Sequence, residues 1–458
     1  MGGFRAGLFW EENNMNEKWK NLDSGKTLKL VFWLFTAAFL LMALIAPDRA
    51  EMFSGLKALY TTPGKVVTDY FRVGGVSATF ANAFIVGLFC CLLYQLPDAP
   101  LNALSFFAFT LTMGFCFWGM NLFNVIACAL GVVLYCAVKR EKLGKNVNFM
   151  LFATGIAPIV TEMFLRYPSA EVVHGYTLIS VAMGLAVGVF IGFFTPAGCA
   201  YAPNAHKGFC LYSAALPLGM MAFFLKAVLY TMRGVALPPA AAGFVAQPVV
   251  FYGFFGTLFV ICLVLGLWKN GWSFRGYGKL LKSSGHKTDF SAEFGPALSL
   301  MNIGIFGLFI MLYYTLVGGE LNGVTCGLIF CMVCTAVSGS HPGNVWPIMV
   351  GYVVMSFVAQ ALFAGEGFNK AINAQAILIG MCYANGMSPM VGKYGWLAGT
   401  VAGMIHYVLV VCVPDLHGGY LLYNGGFTAC LVAILFVPVL ERFCKTKEER
   451  KALKESKV

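Results

Sequence analysis

Apolar residues gather in long runs along nearly the whole chain. They lie at about 28–46, 76–96, 103–118, 122–138, 148–164, 173–194 and 206–230, and again at about 244–268, 295–317, 323–338, 344–363, 371–391, 395–413 and 424–440. A helix needs about 20 residues to cross the hydrocarbon layer of a bilayer, and most runs are close to that length. Lipid offers backbone N–H and C=O groups no partner, so spans of this kind pair their own backbone as helices. The pattern predicts an all-α polytopic membrane protein with about 10–14 transmembrane segments. The first run is too long for a signal-peptide core and is taken as a retained span.

Composition agrees. Of the 458 residues 59% are hydrophobic and 11% charged, against about a quarter charged in ordinary soluble domains. The net charge of +11 is not the footprint of nucleic-acid binding. Residues 1–29, 139–145, 269–288 and 441–458 hold 21 of the 31 Lys and Arg, and short basic stretches beside apolar spans mark cytoplasmic loops. Both termini are therefore expected in the cytoplasm of a bacterial cell, with the protein in its cytoplasmic membrane. The fifteen cysteines follow no disulfide spacing, and the Cys331–Cys334 CxxC lacks a second pair, so packing is the expected role.

The runs repeat. A shift of 220 lays Asn82 on Asn302, Asn102 on Asn322, Gly119 on Gly339, Asn124 on Asn344 and Gly131 on Gly351, with 16 identities in the 59 positions from Gly75 to Val133. That is about three times what chance gives in so apolar a chain. Gly155 and Pro158 match Gly386 and Pro389, and Gly184, Gly188 and Gly192 match Gly395, Gly399 and Gly403. This is an internal duplication. The expected organisation is a tail at 1–27, a first repeat at 28–233, a connecting loop at 234–243, a second repeat at 244–440 containing the basic loop 269–288, and a basic tail at 441–458. Seven segments separate the repeat starts, so the second half is expected to be inverted. Five spans per half, with two re-entrant or broken segments, would preserve the inversion. Inverted repeats are characteristic of transporters and some channels.

Candidate chemistry lies where helices should break. Thr154-Gly155-Ile156-Ala157-Pro158 and Asn385-Gly386-Met387-Ser388-Pro389 each combine a residue that lacks a side chain with one that lacks a backbone donor. The freed backbone, with Thr154, Asn385 and Ser388, is the expected substrate site, joined by the paired amides Asn124 and Asn344. Asn82 and Asn302 fit helix-to-helix glue better than a ligand role. Glu162 and its repeat partner Lys393 are candidates for ion coupling or for a mutual ion pair, whereas His406 fits a packing role. The GxxxGxxxG faces suggest contacts across the repeat axis or between subunits of a homo-oligomer. No phosphate loop, zinc-protease motif or nucleophile elbow is present. No enzyme activity, metal or cofactor is expected.

With the duplicated asparagines and Gly-x-x-Pro elements, the whole chain resembles a family of bacterial multispanning proteins known as domain of unknown function 1576. That resemblance implies no substrate. Seven plus seven segments would be similar to the nucleobase and anion transporter fold, and five plus five to the urea-transporter fold. The expectation is membrane transport of a small polar, neutral or weakly charged solute through a site between the repeats, as a secondary transporter, with Na⁺ or H⁺ as candidate coupling ions. A passive channel and an intramembrane lipid-modifying enzyme are the alternatives. The expected partners are the solute, a coupling ion and membrane lipids.

Overall fold

The computed structural model describes residues 17–239, 243–366 and 370–456. The start of the expected amino-terminal tail, three residues of the connecting loop and residues 367–369 lie outside them. The described residues form helices and no strands. Fourteen principal helices occupy the fourteen apolar runs. In the first half these are α1 (Ser24–Ile45), α2 (Tyr70–Leu93), α3 (Ala103–Phe115), α4 (Leu122–Lys139), α5 in two pieces (Val147–Ala153 and Ala157–Arg166), α6 (Leu178–Ala205) and α7 (Ala215–Lys226). In the second half they are α8 (Gly256–Lys269), α9 (Gly295–Leu316), α10 (Gly323–Val333), α11 (Pro342–Phe363), α12 in two pieces (Gln375–Ala384 and Ser388–Tyr394), α13 (Trp396–Val410) and α14 (Asn424–Phe443). Among the described residues nine helices are long and apolar enough to cross a membrane. The chain is a multi-pass helical membrane protein.

Polar contacts sort the helix ends into two sets. At one end, the carbonyl of Trp19 accepts from Lys269, the Ser24 hydroxyl donates to Ser291 O (2.7 Å), Lys142 pairs with Asp98 (2.9 Å) and Lys207 pairs with Glu441 (2.5 Å). The four basic segments meet here, so this is the basic end. At the other end, Arg233 donates to Pro168 O (2.8 Å), Val66 N–H to Gly419 O (2.9 Å) and Lys226 to Asp415 O. Helix α4 finishes at the basic end, just before Lys142, whereas α11 starts there. The cap of α11, His341, shares a hydrogen bond with Ser283 O (3.1 Å) in the basic loop.

The two halves use the same local devices. Asn82 donates to Cys116 O and Met120 O (3.1 and 2.9 Å), and Asn302 to Ala336 O and Ser340 O (2.6 and 2.9 Å). Each asparagine thus ties the corner after a short helix, α3 or α10. These amides serve as glue between helices, where a buried donor left unpaired would cost about 1–3 kcal/mol. The corners turn on Gly119 and Gly339, at φ +147° and +146°. Helices α3 and α10 cross at Gly114 and Gly327. A methyl group on Gly114 would sit 2.6 Å from Gly327 O, and one on Gly327 would sit 2.4 Å from Gly114 O.

The caps of these crossing helices are reciprocal. Asp69, in the first half, accepts from Gly323 N–H (3.1 Å) at the start of α10. Asp289, in the second half, accepts from Ala103 N–H (3.1 Å) at the start of α3. Both pairs obey the 220-residue shift. Each carboxylate satisfies an orphan donor and faces the positive pole of a helix.

The glycine faces correct one expectation. Gly184 lies against Phe164 of α5, Gly188 packs on Ala127, and Gly192 approaches Cys128 O and Gly131, so the first triplet seats α6 on α5 and α4. Gly403 likewise approaches Ile348 O, seating α13 on α11. Gly184, Gly188, Gly192, Gly399 and Gly403 are thus packed against helices of their own half.

Candidate functional site

The predicted interruptions occur where the Gly-x-x-Pro elements stand. A single 3₁₀ turn, Thr154–Ile156, divides α5, and another, Asn385–Met387, divides α12. Pro158 and Pro389 lie in the first turn of the following pieces, where a missing N–H costs nothing. Each break is stitched to the other half. Leu422 N–H donates to Gly155 O (2.8 Å), and Leu211 N–H donates to Gly386 O (2.9 Å). Each glycine also lies against a tyrosine ring from the opposite half. A Cβ on Gly155 would meet Tyr423 at 2.3 Å, and one on Gly386 would meet Tyr212 at 2.4 Å.

The side chains at the two breaks differ. Thr154 donates to Leu151 O (2.5 Å), one turn back in its own helix. Asn385 reaches out instead, donating to Met332 O (3.0 Å) and to the Thr335 hydroxyl (2.8 Å) at the tip of α10. Its carbonyl oxygen Oδ1 is fully buried and has no hydrogen-bond partner. Ser388 shares a hydrogen bond with Ser340 (3.1 Å), and Ser340 is within 3.4 Å of Asn385 O. Asn385, Ser388, Ser340 and Thr335 form a buried polar patch with one acceptor to spare. An unpaired buried acceptor of this kind needs an explanation, and a ligand that donates a hydrogen bond is one.

The other predicted residues fall elsewhere. Asn124 donates to Gly119 O (3.1 Å) and the Thr161 hydroxyl (2.8 Å), and its oxygen accepts from Asn121 N–H (3.1 Å). Asn344 donates to Gly339 O (2.8 Å) and accepts from His341 N–H (2.9 Å). Both amides close their own corners. Glu162 pairs with Arg166 (2.9 Å) and is buried near the end opposite the basic one. Lys393 lies half-buried beside Tyr394, whose carbonyl accepts from Arg450 of the basic tail. The two charges occupy opposite ends, so the expected Glu162–Lys393 ion pair does not form. His406 is buried between the Tyr352 hydroxyl and Gly425 O (2.8 Å). Cys331 and Cys334 are free and buried.

A cavity of about 460 Å³ lies at the end opposite the basic one. Ala376 and Ile379 of α12 form part of its wall, as does Asn424 at the start of α14. Ile379 stands six residues before Asn385, about 9 Å along a helix. The cavity is thus within two helical turns of the polar patch.

Sequence reasoning missed Asp69, Asp289, Tyr212 and Tyr423. A signal existed for all four. Asp69 and Asp289 obey the 220 shift just ahead of the aligned block, and Tyr212 and Tyr423 obey the 211 shift that relates the glycine triplets.

No curated protein and no solved structure matches the chain. A family model described as "Protein of unknown function (DUF1576)" matches residues 48–231 and 269–442, and the chain belongs to that family.

Proposed function

We propose that the protein carries a small polar solute across the membrane, and that the solute passes the break in α12. The observation that carries this reading is the buried patch of Asn385, Ser388, Ser340 and Thr335 with its unpaired Asn385 Oδ1, built within the second half in an interrupted helix whose Gly386 lies against Tyr212 of the first. Broken helices at the interface of repeats are where transporters place substrate, because they expose backbone dipoles away from lipid.

The inverted arrangement belongs to the same proposal. Reciprocal capping by Asp69 and Asp289 supports it, as does the opposite sense of α4 and α11 relative to the basic end. The positive-inside rule then puts that end, with both tails, in the cytoplasm. The halves pack through α3 on α10, where Gly114 meets Gly327, and through rings such as Phe80 on Phe254 and Phe115 on Tyr423, with the two breaks bonded across the divide. Rocking of one half against the other would open the patch to either side in turn. Gradient coupling through Glu162 remains part of the proposal, supported by a buried carboxylate next to Arg166.

The test is flux into proteoliposomes, using labelled urea, amino acids, inorganic phosphate and succinate, with Na⁺ and proton gradients applied in turn. Wild-type protein should accumulate one of these classes, and Asn385→Ala should reduce that flux by about tenfold or more at equal protein content. A wild type that moves none of them, or an Asn385→Ala variant that moves them equally well, removes the proposal.

A further inference from the structure

The cavity above α12 has an unusual lining for this end of the molecule. Outside the four basic segments ten Lys and Arg remain, and three of them, Lys65, Lys226 and Lys370, line this one space. Orientation rules do not call for lysines here. Basic residues concentrate at the opposite end, where they meet the cytoplasmic loops.

Lys65 is buried, with 8% of its surface exposed. Its ammonium donates to Pro238 O and lies 5.1 Å from the Tyr420 ring centroid. Among the described residues it has no ion pair. Burial lowers its proton affinity below that of an ordinary lysine. Lys226 spends its ammonium on a backbone carbonyl, that of Asp415, rather than on a carboxylate. Counting the groups that face this space, the cations are Lys65, Lys226, Lys370 and the adjoining Arg166, and the acids are Glu162, already paired with Arg166, and the exposed Asp415. Two positive charges are left uncompensated.

A buried cation without a counter-charge is costly, and it persists where something supplies the charge. Lysines act as point charges on oxyanions without demanding a fixed planar geometry. The space suits a solute of a few heavy atoms, and clefts with one sign of charge raise the local concentration of the opposite ion.

We infer that this cavity is a binding vestibule for a small oxyanion, a carboxylate or phosphate, held by Lys65, Lys226 and Lys370. The inference rests on the transport reading for its purpose, since the vestibule stands above the α12 break, but not for its chemistry. It narrows the solute class to an oxyanion that keeps an O–H or N–H for the Asn385 Oδ1 acceptor, as hydrogenphosphate does.

The experiment uses the full chain in phosphatidylcholine nanodiscs and reads the melting temperature against inorganic phosphate, succinate and urea at constant ionic strength. Binding to the folded state raises that temperature by mass action. Phosphate or succinate should give a saturating rise and urea none. Lys65→Gln should weaken the apparent affinity at least tenfold, with Lys65→Arg close to wild type. If Lys65→Gln does not fold, the exposed-side Lys370→Gln and Lys226→Gln carry the same test, each expected to weaken binding severalfold. No rise with either anion overturns the site, as does an equal rise in wild type and all the lysine variants. A rise produced only by adding phosphatidylglycerol to the nanodiscs would assign the lysines to a lipid headgroup and overturn the solute. Anion binding without flux leaves the vestibule standing and removes the carrier. Flux of urea without anion binding does the reverse.

Discussion

At matched places in the two halves, α5 is interrupted at Thr154–Ile156 and α12 at Asn385–Met387, and the backbone treats both alike. Each has a 3₁₀ turn, a proline in the next first turn, a glycine on a tyrosine ring, and a carbonyl bonded to the other half. The side chains do not match. Where α12 has Asn385 and Ser388, α5 has Thr154, folded back on its own helix, and Ala157. At the first break no side-chain acceptor is left over, and the second holds the unpaired Asn385 Oδ1. Duplication has kept the joint in both halves and placed the polar chemistry in one. Repeat symmetry is thus a guide to the frame and a poor guide to which copy keeps an unpaired polar group.

The comparison can be broken first at what the two breaks share. Gly155→Leu and Gly386→Leu should both abolish a monodisperse folded protein on size exclusion, because each ring is already within 2.4 Å of where Cβ would stand. The alanine versions should each cost about 1–3 kcal/mol in thermal or denaturant melts, as overpacking does. A tolerated leucine at one break only would show that the joints are not equivalent.

The next effect separates the breaks. Asn385→Ala should lower solute flux by about tenfold or more, equal to at least about 1.4 kcal/mol of lost stabilisation. Thr154→Ala should leave flux within about twofold of wild type. Smaller, and again shared, are the reciprocal caps. Asp69→Ala and Asp289→Ala should each reduce stability by about 1–2 kcal/mol, the usual scale for a lost cap with a buried donor. If only one did, the reciprocity of the two halves would be a matter of geometry without energy behind it. The smallest change expected is Ser388→Ala, which should reduce flux severalfold while costing under about 1 kcal/mol in a melt, since the Ser340 hydroxyl retains Asn385 O as a partner.

Much of this frame is legible in the sequence because it is local. Apolar run length marks the helices, and Gly-x-x-Pro marks the breaks, since each weakens an α-helical ladder and the pair recurs at matched places. The repeat is legible because glycines and asparagines at corners have no substitutes of the same size and donor set, so Gly119 and Gly339, and Asn82 and Asn302, stayed in register. What was hidden depends on contacts between residues far apart in the chain. Asp69 reaches the start of α10 more than 250 residues on, and no periodicity announces that. The glycine triplets look the same in sequence whether they meet a subunit, a repeat or a neighbour helix, and only packing places them on helices of their own half. The lysine-lined cavity is hidden for the same reason, since Lys65, Lys226 and Lys370 lie in three separate loops or helix ends. Asn124 and Asn344 show the converse. A polar residue near a span invites a ligand role, and these two close their own corners, Asn124 with a further bond to Thr161 of α5.

The most direct test is a side-by-side flux measurement of wild type, Asn385→Ala and Thr154→Ala in matched proteoliposomes with labelled phosphate. The account predicts uptake by wild type and Thr154→Ala, and its loss in Asn385→Ala with the protein still folded. Equal uptake by all three, or uptake lost only through Thr154, would contradict it.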